Sequence, residues 1–344
     1  MNKQPSITVL MPVYNCELYV EEALSSILNQ TFSDFEVLII DDASTDATVS
    51  IIKSFNDKRI NLIVKPKNTG YTNSLNHGCK IAKGKYIARM DGDDVSLPER
   101  FEKQIVFLEA NPDVMVCGTT YSKIGNPKRI TIPQYHDDIK IRLLWGNCIA
   151  HPSVMIRKEA LEVFSEPYDT LKEPAEDYDL WVRLLAVGKL HNLPDVLLDY
   201  RTYTNQVSRK RAQEQKRSEI ETRFKMHDYL NVKWTPQEAQ FLEKHFKRTE
   251  IISFVELKIF KQVQKKIAVA NNEIQCFDSK LFKQYLVDFE IDILRKCFLK
   301  QKRYTPKLYF DYLNAKWKFG AKLPIKRELK LMLKSLIFWK TLRA

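Results

Sequence analysis

The chain has 344 residues, 44% of them hydrophobic, nine glycines, no low-complexity segment and a formal charge of +12 at pH 7. That length and hydrophobic share suffice for about two domains with proper cores and exclude a disordered chain. The six cysteines, at 16, 79, 117, 148, 276 and 297, form no C-x-x-C pair and no Cys/His cluster with zinc spacing, so they read as reduced thiols of a cytosolic protein.

The first strand read from the sequence is "SITVLMPVY", short, apolar and ended by polar "NCE", which is not the pattern of a signal peptide. No stretch approaches the roughly 18 apolar residues of a spanning helix, so a cytoplasmic location is expected. Val20, Leu24, Ile27 and Leu28 then keep helical spacing. "FEVLII" is a second strand stopped by "DDASTD", where Ser44 or Thr45 is expected to cap a helix carrying Val49, Ile52 and Phe55. "INLIV" is a third strand, ended by "KPKNTG", with a helix over 72–82 behind it. "KYIARM" is a fourth strand, ended by "DGDD", and Ser96 with Glu99 reads as a capping box opening a helix with Phe101, Ile105 and Leu108.

Beyond residue 110 the pattern loosens. "DVMVCGTTYSKIG" and "RITIPQY" read as strands, "HPSVMIRKEAL" as a strand leading into a helix, and "VLLDYR" as the last strand. "EDYDLWVRLLAVG" is helical, with Leu180, Trp181, Leu184 and Leu185 inward and Gly188 as a C-cap. From about residue 205 onward the chain reads as helices with basic polar faces.

Strands alternating with helices predict an α/β fold with a mostly parallel sheet covered on both faces. Right-handed crossovers bring successive strand ends to one edge, where such sheets bind ligands. Tyr14 and Asn15, Asp41 and Asp42, Asn68 and Gly70, and Asp91 and Asp93 all fall on those ends. Four polar strand ends in series are better explained as one site than as four ordinary turns.

"DGDD" crowds Asp91, Asp93 and Asp94 into four positions. An EF-hand is disfavoured, because Val95 replaces a ligand and Ser96 the required glycine. A seat for Mg²⁺ or Mn²⁺ fits better, because such ions take one or two carboxylates and complete their shell with phosphate oxygens and water. The bare alternative is a solvated turn.

In order and approximate spacing, "MPVYN", "DDASTD", "NTG", "ARMDGDD", "HPSVMIRK" and "EDYDLWVRL" resemble the family 2 glycosyltransferases, over about residues 5–205. The resemblance implies a GT-A, Rossmann-like fold and an inverting, nucleotide-sugar-dependent enzyme of the hexosyltransferase type. It implies that Pro12, Tyr14 and Asn15 line the nucleotide pocket and that Asp41 or Asp42 accepts a hydrogen bond from the base. Asn68 and Gly70 would border the nucleotide, Lys67 would reach a phosphate, and Arg89 and Gly92 would lie at the sugar or diphosphate. Asp91 and Asp93 match the family's D-x-D metal motif; Asp94 falls to scaffold or donor-sugar contacts. Asp177 matches the base that takes the acceptor's proton, and a place in the first turn of a helix would favour its ionised form. Glu176 and a structural capping pair are the alternatives, and Asp179 reads as a first-turn charge. His151 is either a diphosphate or acceptor contact or a satisfied structural histidine. Trp181 is either core or an acceptor platform. The Q-x-x-R-W motif of processive members is absent, which points to addition of a single sugar.

The implied donor is a UDP-sugar, and the implied acceptor a saccharide or lipid-linked hydroxyl in bacterial surface polysaccharide assembly. A nucleotidylyltransferase would need a Gly-rich N-terminal loop, which "MPVYNCELY" lacks. A non-catalytic binding protein on the same scaffold is disfavoured by the intact Asp91, Asp93 and Asp177.

The charge is uneven. Residues 201–344 hold 33 Lys and Arg against 15 Asp and Glu, a net of +18, leaving −6 for the first 200. Domains are therefore expected at 1–205, catalytic, and 206–344, a helical basic extension contacting membrane, acceptor or a second subunit. In the last segment Leu329, Met332, Leu333, Leu336 and Trp339 keep helical spacing beside Lys326, Lys330 and Lys334, which reads as an element for the inner face of an anionic membrane. The plain alternative is a helix docked on its own domain. Nucleic acid is not expected, since no recognised motif accompanies the charge.

Overall fold

The first 64 residues lay down the strand-helix alternation expected of them: β1 (Ile7–Val13), α1 (Val20–Leu28), β2 (Phe35–Asp41), α2 (Thr48–Ser54) and β3 (Ile60–Val64). The computed structural model describes residues 4–203, 206, 210–247 and 251–340. They continue as α3 (Tyr71–Ile81), β4 (Tyr86–Arg89), β5 (Val95–Ser96), α4 (Arg100–Ala110), β6 (Val114–Lys123), β7 (Asn126–Ile130) and α5 (His136–Leu143). A 3₁₀ turn at His151–Ser153 precedes β8 (Met155–Arg157) and α6 (Lys158–Glu162), and another at Thr170–Lys172 precedes α7 (Glu176–Leu184) and β9 (Lys189–Tyr200).

Among the described residues these strands form one nine-stranded sheet in the order β3-β2-β1-β4-β8-β6-β9-β5, with β7 beside β6. β1, β2, β3 and β4 are mutually parallel. β8 is antiparallel to both β4 and β6, so β6 runs with β4, and β9 is parallel to β6. The carboxyl ends of β1, β2, β4, β6 and β9 therefore share one edge. β1 is buried along its whole length, which is why it reads as an unbroken apolar run. Val9, Met11, Val37, Ile39, Tyr86, Ala88, Phe101 and Met155 belong to the core that joins sheet and helices.

Two capping expectations fail. Ser96 does not cap α4, which starts at Arg100 without a side-chain cap. Ser96 is claimed by pairing with Leu198, its N–H donates to Ser26 Oγ (3.0 Å), and its hydroxyl accepts from Gln30 (3.2 Å). Likewise α2 starts at Thr48, whose N–H is held by Asp46 (2.9 Å), while Ser44 Oγ accepts from the N–H of Asn15 (2.9 Å). "RITIPQY" forms strand only as far as Ile130, and the last strand starts at Lys189, well before "VLLDYR". α7 has Leu185 as its C-cap, and Gly188 stands beyond it, where a Cβ would meet Met115 and the Asp113 carbonyl.

Gly84 fixes the entry to β4. A Cβ there would lie 2.4 Å from the Thr8 nitrogen and 2.6 Å from the Ile7 carbonyl carbon, backbone atoms of the central strand that cannot yield. Gly84→Ala is expected to cost about 3 kcal/mol through overpacking. Urea unfolding checks this, and an unchanged midpoint would refute it.

The chain divides into two compact units, Met1–Thr222 and Arg223–Ala344. The expected boundary was 205/206; α8 (Ala212–Asp228) runs across 222/223. The second unit holds α9 (Pro236–Phe246), α10 (Glu256–Ile274), α11 (Ser279–Leu294), a π turn at Arg295–Leu299, α12 (Pro306–Phe319) and α13 (Ile325–Leu336). α9 opens on a capping box between Thr235 and Glu238. Phe241, Leu242, Phe260, Val263, Ile267, Phe289 and Ile293 are buried here. The buried Lys296 ammonium is satisfied by the His245 carbonyl (2.8 Å) and Asp292 (3.1 Å).

Candidate active site

At the shared carboxyl edge of the first unit lies a cavity of about 600 Å³. Of the residues expected at a site, Pro12, Tyr14, Asn15, Asp42, Asn68, Gly70, Arg89, Asp91, Gly92, Asp93, His151, Glu176 and Asp177 line it. Asp41, Lys67 and Trp181 do not.

The loop after β1 turns at Asn15, whose φ of 48° is left-handed, a conformation Asn tolerates. Its side-chain oxygen accepts from the Thr45 N–H (2.8 Å), tying the ends of β1 and β2 together. Tyr14, half exposed, presents a ring to the cavity. Asp41 is buried and accepts from the Ser44 N–H (3.0 Å), so it shapes the turn. Asp42 reaches the cavity while accepting from Lys65 (2.6 Å), the Thr69 N–H (3.0 Å) and the Gly70 N–H (2.8 Å). It thus holds the "NTG" loop in place. Lys67 is exposed on that loop.

The β4 end is pinned from below by α4. The buried Arg100 guanidinium donates to the carbonyls of Arg89 (2.7 Å) and Val154 (3.2 Å), and Gln104 to that of Ser153 (2.9 Å). Above it, Arg89 is buried and ion-paired with Asp91, and its Nε has no partner. One oxygen each of Asp91, Asp93 and Asp94 lies within 4.8 Å of the others. Asp93 accepts from the Tyr203 hydroxyl (2.9 Å). Asp94 accepts from the Arg201 N–H (2.8 Å) with one oxygen; the other is buried and unpartnered. Burial, then the neighbouring Asp91 charge, pushes the Asp93 carboxyl up to about 6 and Asp94 well above its ordinary range. Crowded carboxylates with an orphaned buried oxygen fit a hard divalent cation, which would compensate their mutual repulsion.

Across the cavity, α7 presents Glu176 and Asp177 in its first turn. Asp177 accepts from Asn147 Nδ2 (2.6 Å) and from the Tyr178 N–H (2.6 Å). The expectation that the helix end would favour its ionised form is outweighed. Burial raises the carboxyl to about 6, against the opposing hydrogen bonds. Glu176 is buried, accepts from the Tyr71 hydroxyl (2.8 Å), and is raised further by burial and by the Asp177 charge. Asp179 lies in the first turn as expected, fully buried and held by Arg183 (2.7 Å). His151 meets the Tyr168 hydroxyl through Nε2 (3.0 Å), and burial keeps it neutral at pH 7. Trp181 lies in the core with its ring edge-on to His151.

Sequence reasoning missed Tyr71, Asn147, Glu173, Arg201, Tyr203 and Arg211. Arg201 donates to the Asp93 carbonyl (2.7 Å) and stacks over Tyr19, and Tyr19 packs on Tyr203. Glu173 pairs with Arg211 at the cavity wall. The one local signal was "DYRTY", an aromatic and cationic run at the end of the last strand.

Residues 8–164 match the family model described as Glycosyl transferase family 2. An uncharacterized glycosyltransferase of Haemophilus influenzae (strain Rd) is 35% identical over 227 residues, 60% of this chain and 69% of the relative. The chain is a family 2 glycosyltransferase. The amylovoran biosynthesis glycosyltransferase AmsE of Erwinia amylovora is 31% identical over 222 residues, 62% of this chain and 83% of that relative. Among solved structures, S. aureus TarS 1-349 in complex with UDP-GlcNAc superposes with a TM-score of 0.56 at 16% identity, covering 93% of each chain. At that identity the likeness is one of fold. This glycosyltransferase thus has the expected GT-A architecture, a mostly parallel sheet with its cavity at the carboxyl edge.

Proposed function

We propose that this family 2 glycosyltransferase moves a sugar from a UDP-sugar to a hydroxyl of a saccharide or lipid-linked acceptor, with inversion, in bacterial surface polysaccharide synthesis. One observation carries the reading: a single cavity has a carboxylate cluster suited to a cation on one side and a half-buried carboxyl, Asp177, on the other. TarS was solved with UDP-GlcNAc, and the relative AmsE is named for amylovoran biosynthesis; both are consistent with the donor and pathway.

Tyr14 supplies a flat apolar face for the base, and Asp42, which lines the same cavity, is the acceptor for base N–H groups. Asp91 and Asp93 would hold Mn²⁺ or Mg²⁺, which when bound offsets the charge on the departing diphosphate. Arg89, fixed by its Asp91 pair, adds a buried positive charge to the same region. Asp177 takes the proton of the acceptor hydroxyl as it attacks, and Asn147 fixes the carboxylate's orientation. Glu176 is buried and held by the Tyr71 hydroxyl (2.8 Å), whereas Asp177 is the less buried of the two, which leaves Asp177 as the base.

A thermal-shift comparison of UDP-, GDP- and dTDP-sugars, with and without Mn²⁺, tests the reading. The UDP-sugar with Mn²⁺ should raise Tm most. Equal shifts from all nucleotides, or none, would contradict it.

A further inference from the structure

The second unit carries an amphipathic helix turned inside out. In α13 the sides in contact with the protein are those of Leu331 and Ser335, both fully buried. The helix's single acid, Glu328, is spent in the same seam. It accepts from the Tyr312 hydroxyl (3.0 Å) and from Lys316 (2.8 Å) on α12. The Tyr312 hydroxyl in turn accepts from the Leu323 N–H (3.2 Å) ahead of α13. These contacts fix the helix's rotation, and they leave Ile325, Leu329, Leu333 and Leu336 on the solvent side. Those four recur at helical spacing and are 49% to 78% exposed.

Beside that stripe run Lys326 and Lys330, with Lys322 and Arg327 nearby, all exposed. At the helix's end Ile337 and Phe338 are exposed and Trp339 is half-exposed. Trp339 is held in place, since its carbonyl accepts from the Tyr304 N–H (2.9 Å) and Lys334 lies over its ring. An aliphatic stripe, a cationic flank without acids and a terminal Trp together match the layered chemistry of an anionic bilayer surface: apolar tails, phosphates, and the boundary between them. The twelve residues extend about 18 Å, too short to span. No helix among the described residues is long and apolar enough to cross a membrane. A second copy of the chain is the other candidate for covering the stripe. A two-fold contact there would set one row of lysines against the same row of the other copy.

We propose that the exposed face of α13 docks this protein on the surface of an anionic lipid bilayer, with the helix lying in the interface. The donor site of the first unit does not enter into this, so each stands or falls separately.

Flotation of the full chain with vesicles tests the proposal, using phosphatidylcholine alone or with about a third phosphatidylglycerol. The chain should float with the anionic vesicles at low salt and be released at high salt. Lys326→Gln with Lys330→Gln should weaken partitioning roughly thirty-fold, at about a kcal/mol per cation. Leu329→Glu with Leu333→Glu should abolish it, with unchanged circular dichroism and unchanged nucleotide-sugar binding. All four positions are exposed, so folding should survive. The proposal is overturned if the chain does not float, if the variants float as well as the parent, or if the leucine variants convert a vesicle-free dimer to monomer. The last result would give the face to a second copy.

Discussion

Asp177→Asn is expected to lower kcat by about a thousandfold, the usual scale for loss of a positioned general base. Asn keeps the shape of the side chain and a carbonyl oxygen for the Tyr178 N–H, and its amide replaces only the oxygen that accepts from Asn147, so the α7 N-terminus should fold as before. Binding of the UDP-sugar should change little, because the substitution removes only an interaction made as the acceptor proton moves. The wild-type pH profile supplies an independent check. Asp177 must be ionised to act, and burial holds its carboxyl near 6. Activity should therefore rise as pH increases through about 6, with that limb missing from the residual activity of the variant. A variant within about threefold of wild type would remove Asp177 from the base role.

Asp93→Asn is expected to lower kcat by about two to three orders of magnitude, the cost of losing one preorganised group that compensates transition-state charge. The asparagine oxygen can still accept from Tyr203, so the local packing is spared. Asp91→Asn should be equally damaging to turnover and also destabilising. It leaves the buried Arg89 guanidinium without its carboxylate, a loss typical of a broken buried pair. A comparison of unfolding midpoints separates the two: Asp93→Asn near wild type, Asp91→Asn clearly below it.

How much of this was legible in sequence depended on the range of the interaction. Buried parallel strands are continuous apolar runs, so β1, β2 and β4 were readable, and with them the polar residues that terminate each strand. Order along one edge then followed from crossover handedness, which brought Tyr14, Asp42, Gly70 and Asp91 to one cavity. Partners supplied from a distance were not readable. Ser96 has the spacing of a cap, but the strand that takes it arrives about a hundred residues later in β9. Tyr203 and Arg201 reach the "DGDD" turn from that same distant strand end, and Asn147 and Tyr71 reach Asp177 and Glu176 across the cavity. The upward shift of the Asp177 carboxyl was unreadable for a related reason. A helix N-terminus is visible in sequence, whereas the burial that overrides it is a property of the assembled cavity.

Calorimetric titration of UDP into the full chain tests most directly whether the "DGDD" turn seats a cation and a diphosphate together. With Mn²⁺ present, UDP should bind at least about tenfold more tightly than in chelator, a coupling of about 1.4 kcal/mol or more. Asp93→Asn should erase that gain while leaving metal-free UDP binding unchanged. Equal UDP affinity with and without Mn²⁺, or a gain that survives in Asp93→Asn, would contradict a cation seat at this turn.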